Sequence, residues 1–568
     1  MKFDKYIKLI APIAAMLSLA SAGLILYFIN KYGVNVPYND QWEYVGFFDH
    51  LSQGMLTFEE LFRQHNEYRQ FFPNVIYVAL GSLTHWNVRY EMLVIFLLAC
   101  LVAFNIYRLA GYTHVGKPWQ KWLMFFLANL FIFSPMQWEN WLFGVQIEYF
   151  LPIACVSTGL VLAFTRMPGW LKMILCMALA LISTFSSING FIIWILLFPV
   201  LVFSGTKNEY FKKGTVIAIW IAATLEALAI YFSGYQKPGA HPSLSIVLHH
   251  PVDALFYFFG TLGNTLRVIH YLWAILVVGG MLFFVFLAQM LYVVWHLKDK
   301  LLLRNALPWV MLGWYAMGTA AMLTVGRLGF GTYQALASRY TSFTLYGAVA
   351  VIFLAGLILQ HYFRVRGISV KQKIVIAVLV VLLIGAKVNN YLVGVNELKS
   401  FHAAIIHAKA GLLCINYVPH EECANKVYPA NFAEIRRTAN ILNRLGYLNP
   451  PLIRSDVMQD LEDMQQGATS YGSLDSVFHL YDNVYKAWGT AMMPNTSAAA
   501  DAVLLSYETP DGKSKLFTLQ NTDSIRWTKT FTLDSLPQNP VVIRAWAFDA
   551  NSAKAYRLKG TQRVCLPQ

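Results

Sequence analysis

The sequence predicts a mainly α-helical, polytopic membrane protein with a C-terminal extracytoplasmic domain that ends in a small β-sandwich. Three observations lead to this fold class. Of the 568 residues, 57% are hydrophobic and only 13% are charged, whereas about a quarter of the residues in a soluble globular protein are charged. Apolar runs of spanning length recur through residues 1–396, and runs of alternating polarity typical of β-strands occupy 471–568.

The apolar runs predict about eleven membrane spans, because about 20 helical residues cross the hydrocarbon core of a bilayer. The first run resembles a cleavable signal peptide, but its apolar stretch is long enough to span, so a retained helix is expected. The predicted spans lie at 9–30, 89–110, 119–135, 147–166, 171–187, 189–204, 214–233, 270–296, 307–325, 342–362 and 373–393.

The distribution of basic residues predicts the orientation of these spans. Lys2, Lys5 and Lys8 precede the first span, and most other lysines and arginines lie in short connections that alternate along the chain. Basic connections stay in the cytoplasm, so we expect the N-terminus inside and the region after residue 396 outside. The net charge of +14 follows from this pattern and does not indicate a nucleic-acid partner.

Three regions are expected along the chain. Residues 1–396 form the transmembrane domain, and its first outer loop, 31–88, contains short interfacial helices. Residues 397–470 form a helical extracytoplasmic region, and 471–568 form the β-sandwich.

Six cysteines are present. Cys414 and Cys423 lie in the region expected outside the cytoplasm, where they are predicted to form a disulfide worth about 2.5–3 kcal/mol by loop entropy. Cys565 is then left over. The cysteines and histidines show no spacing typical of a zinc site.

Charged and polar residues that could take part in catalysis or binding lie in the predicted outer segments. A carboxylate such as Glu139, close to the end of an apolar run, is costly at membrane depth unless it faces a polar cavity. The segments are Tyr38-Asn39-Asp40-Gln41-Trp42, His65-Asn66-Glu67-Tyr68-Arg69 with Pro73 after it, Trp138-Glu139-Asn140 with Gln146, and Gly326-Arg327 with Ser338-Arg339-Tyr340.

An acidic outer loop after the first helix, followed by interfacial helices, resembles the GT-C membrane glycosyltransferases. The resemblance rests on the loop 39–42, the cluster 65–69 with Pro73, and the number of helices. It covers the hydrophobic body as far as residue 393. The segments around Glu139 and Arg339 also resemble those of bacterial membrane proteins that modify surface polysaccharides.

This resemblance implies a polyprenyl-phosphate sugar as donor, such as an undecaprenyl-phosphate sugar. The sugar would pass, outside the cytoplasm, to a glycan, a lipid-linked glycan or a protein acceptor, by a single inverting displacement. It further implies polysaccharide biosynthesis in the cell envelope, with the chain in the bacterial inner membrane and its C-terminal domain in the periplasm.

Inverting transfer needs a carboxylate that takes the proton of the attacking acceptor hydroxyl, and the resemblance assigns this role to Asp40. The alternative is that Asp40 caps the next short helix. The leaving group is a phosphate, which an arginine fork can hold at two oxygens. Arg69, Arg327 and Arg339 are the candidates. For Arg327 and Arg339 the alternative is that they reach to lipid headgroups or pair with an acidic residue.

Further residues are predicted to contact substrate. His65 and Glu67, together with Asp40, supply enough donor atoms for a weak Mg²⁺ or Mn²⁺ site, although their spacing requires no metal. A solvated loop with a local Glu67–Arg69 pair explains the same residues equally well. The predicted substrate-binding residues are Trp42, His65, Glu67, Glu139, Gln146 and Tyr340.

Other functions compete with the glycosyltransferase. A transporter or flippase for a lipid-linked glycan would show paired halves, and a second half is not recognisable in the sequence. A polysaccharide polymerase or ligase is a closer alternative. A third alternative is a non-enzymatic surface receptor, in which the β-sandwich would be the functional domain. The tryptophans of that sandwich either bind glycan or fill its core, and the core is favoured for each of Trp488, Trp527 and Trp546.

Overall fold

The protein is mainly helical and has a C-terminal region rich in β-strands. Cys423 lies outside the residues that the structure describes, so the Cys414–Cys423 disulfide stays a prediction. The computed structural model describes residues 2–204, 213–239, 242–267, 271–418, 427–428, 431–463, 471–494, 498–533 and 539–565.

Two compact units make up the chain. Much of the predicted first outer loop belongs to the same unit as the C-terminal region. The first unit comprises Met1–Gly33, Thr57–Tyr77 and Arg89–Leu398. The second unit comprises Val34–Leu56, Val78–Val88 and Lys399–Gln568.

The α-helices vary widely in length, and several are separated by short 3₁₀ turns. In chain order they are α1 (Lys2–Tyr32), α2 (Val45–Ser52), α3 (Phe58–Phe62), α4 (Phe71–Thr84), α5 (Arg89–Tyr112), α6 (Pro118–Ile132), α7 (Trp138–Leu142), α8 (Ile147–Ala163), α9 (Gly169–Thr184), α10 (Ile192–Ser204), α11 (Lys213–Phe232), α12 (Ile246–His249), α13 (Pro251–Gly263), α14 (Leu272–Trp295), α15 (Lys300–Arg327), α16 (Thr341–Arg366), α17 (Val370–Leu413) and α18 (Phe432–Arg444).

Eight helices within the described ranges are long and apolar enough to cross a membrane. The three other predicted spans coincide with α6, α9 and α10, which have 15, 16 and 13 residues. At about 1.5 Å per residue these three are shorter than a hydrocarbon core of about 30 Å. The eight candidate spans are Leu9–Tyr32, Arg89–Tyr112, Gly144–Ala163, Gly214–Phe232, Leu272–Trp295, Lys300–Phe330, Ser338–Arg364 and Val370–Leu413.

Helix α15 carries Arg327 at its C-terminal end. It begins where the Asp299 side chain accepts hydrogen bonds from two backbone N–H groups of the first turn. It ends before a 3₁₀ turn and Gly331, whose φ of +107° favours glycine. Along its length it packs against α16, and the Trp309 ring stacks on Phe353 with ring centroids 4.1 Å apart. This packing holds Arg327 on a rigid element.

The strands fall into a two-stranded hairpin in the first unit and two antiparallel sheets in the second. One sheet has the order β10-β8-β5-β6 with β9 added to β8, and the other has the order β3-β4-β7. The strands are β1 (Gln64–His65), β2 (Tyr68–Arg69), β3 (Gly472–Tyr481), β4 (Val484–Ala491), β5 (Ala502–Glu508), β6 (Ser514–Asn521), β7 (Arg526–Thr532), β8 (Val541–Asp549), β9 (Lys554–Arg557) and β10 (Gln562–Val564).

The two sheets of the second unit share one hydrophobic core. Tyr485 and Trp527 from one sheet and Val503 and Ile543 from the other belong to the same buried cluster. Burial of aromatic and β-branched side chains of this kind is the main stabilising term of such a core. Of the three tryptophans considered in the sequence, Trp527 and Trp546 are buried and Trp488 is exposed.

Candidate functional site

The segments Trp138-Glu139-Asn140 and Ser338-Arg339-Tyr340, chosen from the sequence, lie against each other in the first unit. The backbone N–H of the glutamate donates to the serine hydroxyl (3.2 Å), and the asparagine amide donates to the arginine carbonyl (3.2 Å). The first segment begins α7 after a 3₁₀ turn that Pro135 opens, and the second is a 3₁₀ turn that leads into α16. The contact between the two segments is therefore formed by short turns at helix ends.

Arg339 and Glu139 form an ion pair in this contact. The arginine Nη1 lies 2.7 Å from the glutamate Oε1, although the two residues are 200 positions apart in the sequence. The glutamate side chain is 11% exposed and the arginine side chain 30%. Each charge offsets the desolvation of the other, which explains how Glu139 is tolerated at the end of an apolar run. The sequence alternative in which Arg339 pairs with an acidic residue is thus realised.

The predicted polar cluster at 65–69 folds as a tight hairpin. Strand β1 pairs with β2 in antiparallel register, so that His65 lies opposite Tyr68. Asn66 occupies the left-handed region with φ of +48°, a conformation that asparagine tolerates better than most residues. The hairpin turn therefore consists of Asn66 and Glu67, and the side chain of Glu67 projects from it.

Glu67 forms an ion pair with Arg327 at the end of α15. Both side chains are largely buried. Burial and the charge of Glu67 also raise the pKa of Tyr235, which lies outside the candidate spans. The Glu67–Arg327 pair replaces the local Glu67–Arg69 pair that the sequence allowed.

Arg69 is held by backbone carbonyls. Its Nε donates to Tyr231 (2.9 Å), Nη1 to Phe62 (3.1 Å) and Nη2 to Ser233 (2.5 Å). The residue is 8% exposed. These contacts hold the hairpin next to the end of α11.

Glu148 is a buried carboxylate that the sequence analysis did not single out. It is 3% exposed and accepts hydrogen bonds from the Tyr68 hydroxyl (3.1 Å) and from the Gln70 amide. The sequence could have indicated it, because a glutamate in the apolar run 147–166 costs free energy unless it has hydrogen-bond partners. Its partners come from β2 and the residue that follows, so it fixes the hairpin to α8.

A cavity of about 280 Å³ opens beside the Glu67–Arg327 pair. Both residues line it, together with Tyr340, which is 2% exposed. Tyr68, Tyr149 and Tyr235 also line it, and so do apolar side chains. The cavity thus combines two cationic side chains, Arg327 and Lys237, with one carboxylate, several tyrosines and an apolar wall. The apolar lining includes Ile188, Pro238, Leu244, Met322, Leu323 and Phe343.

The remaining predicted residues of the first unit lie outside this lining. His65 is half-buried in β1, where its ring contacts the Tyr68 ring with centroids 6.0 Å apart. Gln146 is 2% exposed and sits in the 3₁₀ turn that begins before α8. The structure therefore brings Glu67, Arg327 and Tyr340 to the cavity and Glu139 with Arg339 to the adjoining ion pair.

Asp40 and Trp42 belong to the second unit and lie in the 3₁₀ helix Asn39–Tyr44. The N-cap of this helix is Tyr38, whose N–H donates to the Gln41 side chain, so Asp40 does not occupy the capping position. Asp40 is half-buried. Trp42 is 2% exposed, and its indole N–H donates to the Pro37 carbonyl (3.0 Å), which is a packing role.

Asp40 contributes to an acidic surface in the second unit. Burial raises the pKa of Tyr428, and the charges of Glu43, Asp40 and Glu434 raise it further.

Within the part of the chain that the structure describes, no group of three or more His, Cys, Asp or Glu side chains could hold a metal ion.

No protein-family model, curated protein or solved structure matches this chain. The resemblance to GT-C enzymes therefore rests on the sequence segments alone. The fold and the cavity define a coarser class. The chain is a mainly helical protein, with eight described helices able to cross a membrane, a cavity lined by charged and apolar side chains at the ends of some of them, and a C-terminal β-rich region.

Proposed function

We propose that the chain is an integral membrane glycosyltransferase of the GT-C type. It transfers a sugar from a polyprenyl-phosphate donor to a glycan, lipid-linked glycan or protein acceptor on the non-cytoplasmic face of a bacterial inner membrane. The observation that carries this proposal is the cavity in which Arg327 and Glu67 meet phenolic and apolar side chains.

The donor and the cavity match in chemistry. A polyprenyl-phosphate sugar joins an anionic phosphate to a polyol on one side and to an apolar chain on the other. Arg327 offers a cation, and the phenols of Tyr149 and Tyr340 offer hydrogen bonds to hydroxyl groups. Met322 and Phe343 offer apolar contact.

In the proposed reaction, the acceptor oxygen attacks the anomeric carbon while the bond from that carbon to the phosphate oxygen breaks. The phosphate leaves as an anion, so it needs a cation and no proton. Arg327 holds it, because a guanidinium remains charged and pairs with two oxygens. The acceptor proton passes to a carboxylate, and the resemblance assigns this role to Asp40.

A binding and transfer assay tests this function. Purified protein in nanodiscs is offered polyprenyl phosphates that carry glucose, mannose, N-acetylglucosamine or arabinose, and binding and sugar release are measured. Replacing both Glu67 and Arg327 by glutamine removes the Arg327 cation without leaving a lone carboxylate, and it keeps Lys237, the other cationic side chain of the lining. We expect donor binding by this double variant to weaken by about 1.5–3 kcal/mol, the scale of a charged hydrogen bond.

Arg304→Gln is the matched control, because Arg304 is exposed near the opposite end of the same helix. It should leave donor binding unchanged. Equal binding by the double variant and the wild type would contradict the phosphate role of Arg327. Donor binding without any sugar release from any donor and acceptor would favour the flippase over the transferase.

We further propose that α6, α9 and α10 complete eleven crossings, with the N-terminus inside and the two sheets packed as a sandwich outside. In a cysteine-free background, Thr530→Cys and Lys298→Cys each add one exposed thiol. An impermeant maleimide should label the first in spheroplasts and reach the second only after permeabilisation. Labelling of the second thiol in sealed spheroplasts would reverse the orientation.

A further inference from the structure

Among the uncharged residues that line the cavity, Asn189 and Thr319 each have a buried polar atom without a hydrogen-bond partner among the described residues. These atoms are the side-chain carbonyl oxygen of Asn189 and the hydroxyl of Thr319. Asn189 is 3% exposed and Thr319 is 1% exposed. Burying such groups without hydrogen bonds costs free energy. A ligand in the cavity that forms these hydrogen bonds would remove this cost.

The fold brings Asn189 to the part of α15 that carries Thr319. Asn189 follows α9 in a turn that closes tightly, because a Cβ on Gly190 would lie 1.8 Å from the Ser183 carbonyl oxygen. The Asn189 amide nitrogen donates to the Tyr315 hydroxyl (3.1 Å) on α15. Thr319 is one helical turn beyond Tyr315 on the same face of that helix. The turn and the helix therefore each contribute one such residue to the lining of the same cavity.

Thr324 shows how a buried threonine on α15 is ordinarily satisfied. Its hydroxyl donates to the Ala320 carbonyl one turn earlier (2.8 Å), which is the common arrangement in helices. Thr324 is 5% exposed and does not line the cavity. The hydroxyl of Thr319, on the same helix and equally buried, makes no such bond. The difference singles out Thr319 as a group available to a ligand.

We infer that Asn189 and Thr319 form a subsite that binds a hydroxyl group of the donor sugar. The inference rests on the proposed function. An amide oxygen only accepts hydrogen bonds, whereas a threonine hydroxyl both donates and accepts. A sugar hydroxyl can donate to Asn189 and accept from Thr319. An ionised phosphate oxygen only accepts, so it has no proton for Asn189, and the subsite selects the sugar over the phosphate.

The test compares two probes, polyprenyl phosphate carrying a sugar from the panel and polyprenyl phosphate without a sugar. Thr319→Val removes the hydroxyl and keeps the shape. We expect it to weaken binding of the sugar-bearing probe about 10-fold, the equivalent of one hydrogen bond, and to leave binding of the sugar-free probe unchanged. Thr324→Val, the matched control, should change neither affinity.

Thermal unfolding gives a second, ligand-free readout. Thr319→Val should leave the Tm unchanged or raise it, because it removes an unsatisfied buried hydroxyl, whereas Thr324→Val should lower it by removing a made bond. A Tm lowered equally by both variants would overturn the inference, and so would unchanged affinity of Thr319→Val for the sugar-bearing probe. If the wild type binds neither probe, the proposed function fails, and the Tm comparison alone still decides whether the hydroxyl is unsatisfied.

Discussion

Replacing Asp40 by asparagine is expected to lower the rate of sugar transfer by about 100-fold or more, the scale of losing a general base. Asparagine keeps the shape and most hydrogen bonding of the side chain but cannot take the acceptor proton. Affinity for the polyprenyl-phosphate sugar should change little. The measurement is single-turnover transfer at saturating donor, with donor binding determined separately in the same preparation.

Glu43→Gln is the matched control, since Glu43 lies in the same 3₁₀ helix, is exposed, and loses the same charge. Like Asp40, it raises the pKa of Tyr428, so a purely electrostatic effect on the acidic surface would appear in both variants. Normal transfer in a folded Asp40→Asn protein would contradict the assignment. Glu67, the carboxylate that lines the cavity, would then be the next candidate base.

Replacing Arg339 by alanine is expected to lower the free energy of unfolding by about 3–5 kcal/mol, because it leaves the buried Glu139 carboxylate without its cation. Changing Arg339 to methionine together with Glu139 to glutamine should restore most of this loss, since the charge and its partner then disappear together. The measurement is thermal or denaturant unfolding of the purified protein in detergent, with folding followed by tryptophan fluorescence.

The double variant also tests whether Arg339 holds the donor phosphate, as the sequence predicted. If it does, donor binding by the stable double variant should be weaker by about 1.5–3 kcal/mol. Unchanged binding would leave Arg327 as the phosphate ligand and Arg339 as a residue that positions α7. The exposed pair of Arg437 with Glu434 is the control for stability, because Arg437→Ala should cost less than about 1 kcal/mol.

The long helices were predictable because a sustained apolar run is a local property of the chain. The run 119–135 shows where this reasoning stops. Its helix ends at Ile132, since Pro135 opens a new turn and the residue before a proline, Ser134, adopts an extended backbone. Mean hydropathy treats residues 119–135 as one apolar run, whereas the backbone forms a helix and a separate 3₁₀ turn.

The candidate site was partly predictable. Glu139 was found because a carboxylate at membrane depth requires a reason, and Arg327 and Arg339 were found because a phosphate leaving group requires a cation. The sequence did not reveal which charges pair, and the local Glu67–Arg69 pair that it allowed is absent, because Arg69 donates to backbone carbonyls.

Asn189 and Thr319 could not be found in the sequence, because threonine and asparagine side chains are ordinarily satisfied by nearby backbone. Only the contacts of α15 show that the Thr319 hydroxyl lacks the bond that Thr324 makes. Whether a polar atom lacks a hydrogen bond depends on the atoms that surround it in space, and the residue type alone does not show this.

The sequence by itself determined that this is a mainly helical chain with helices able to cross a membrane and a β-rich C-terminal region, because composition and periodicity act over neighbouring residues. The tertiary structure alone decided that Glu67 meets Arg327 and that Glu139 meets Arg339, 200 residues away. The physical reason is that an ion pair depends on where helix ends and turns meet in space, and the packing of the whole bundle determines those positions.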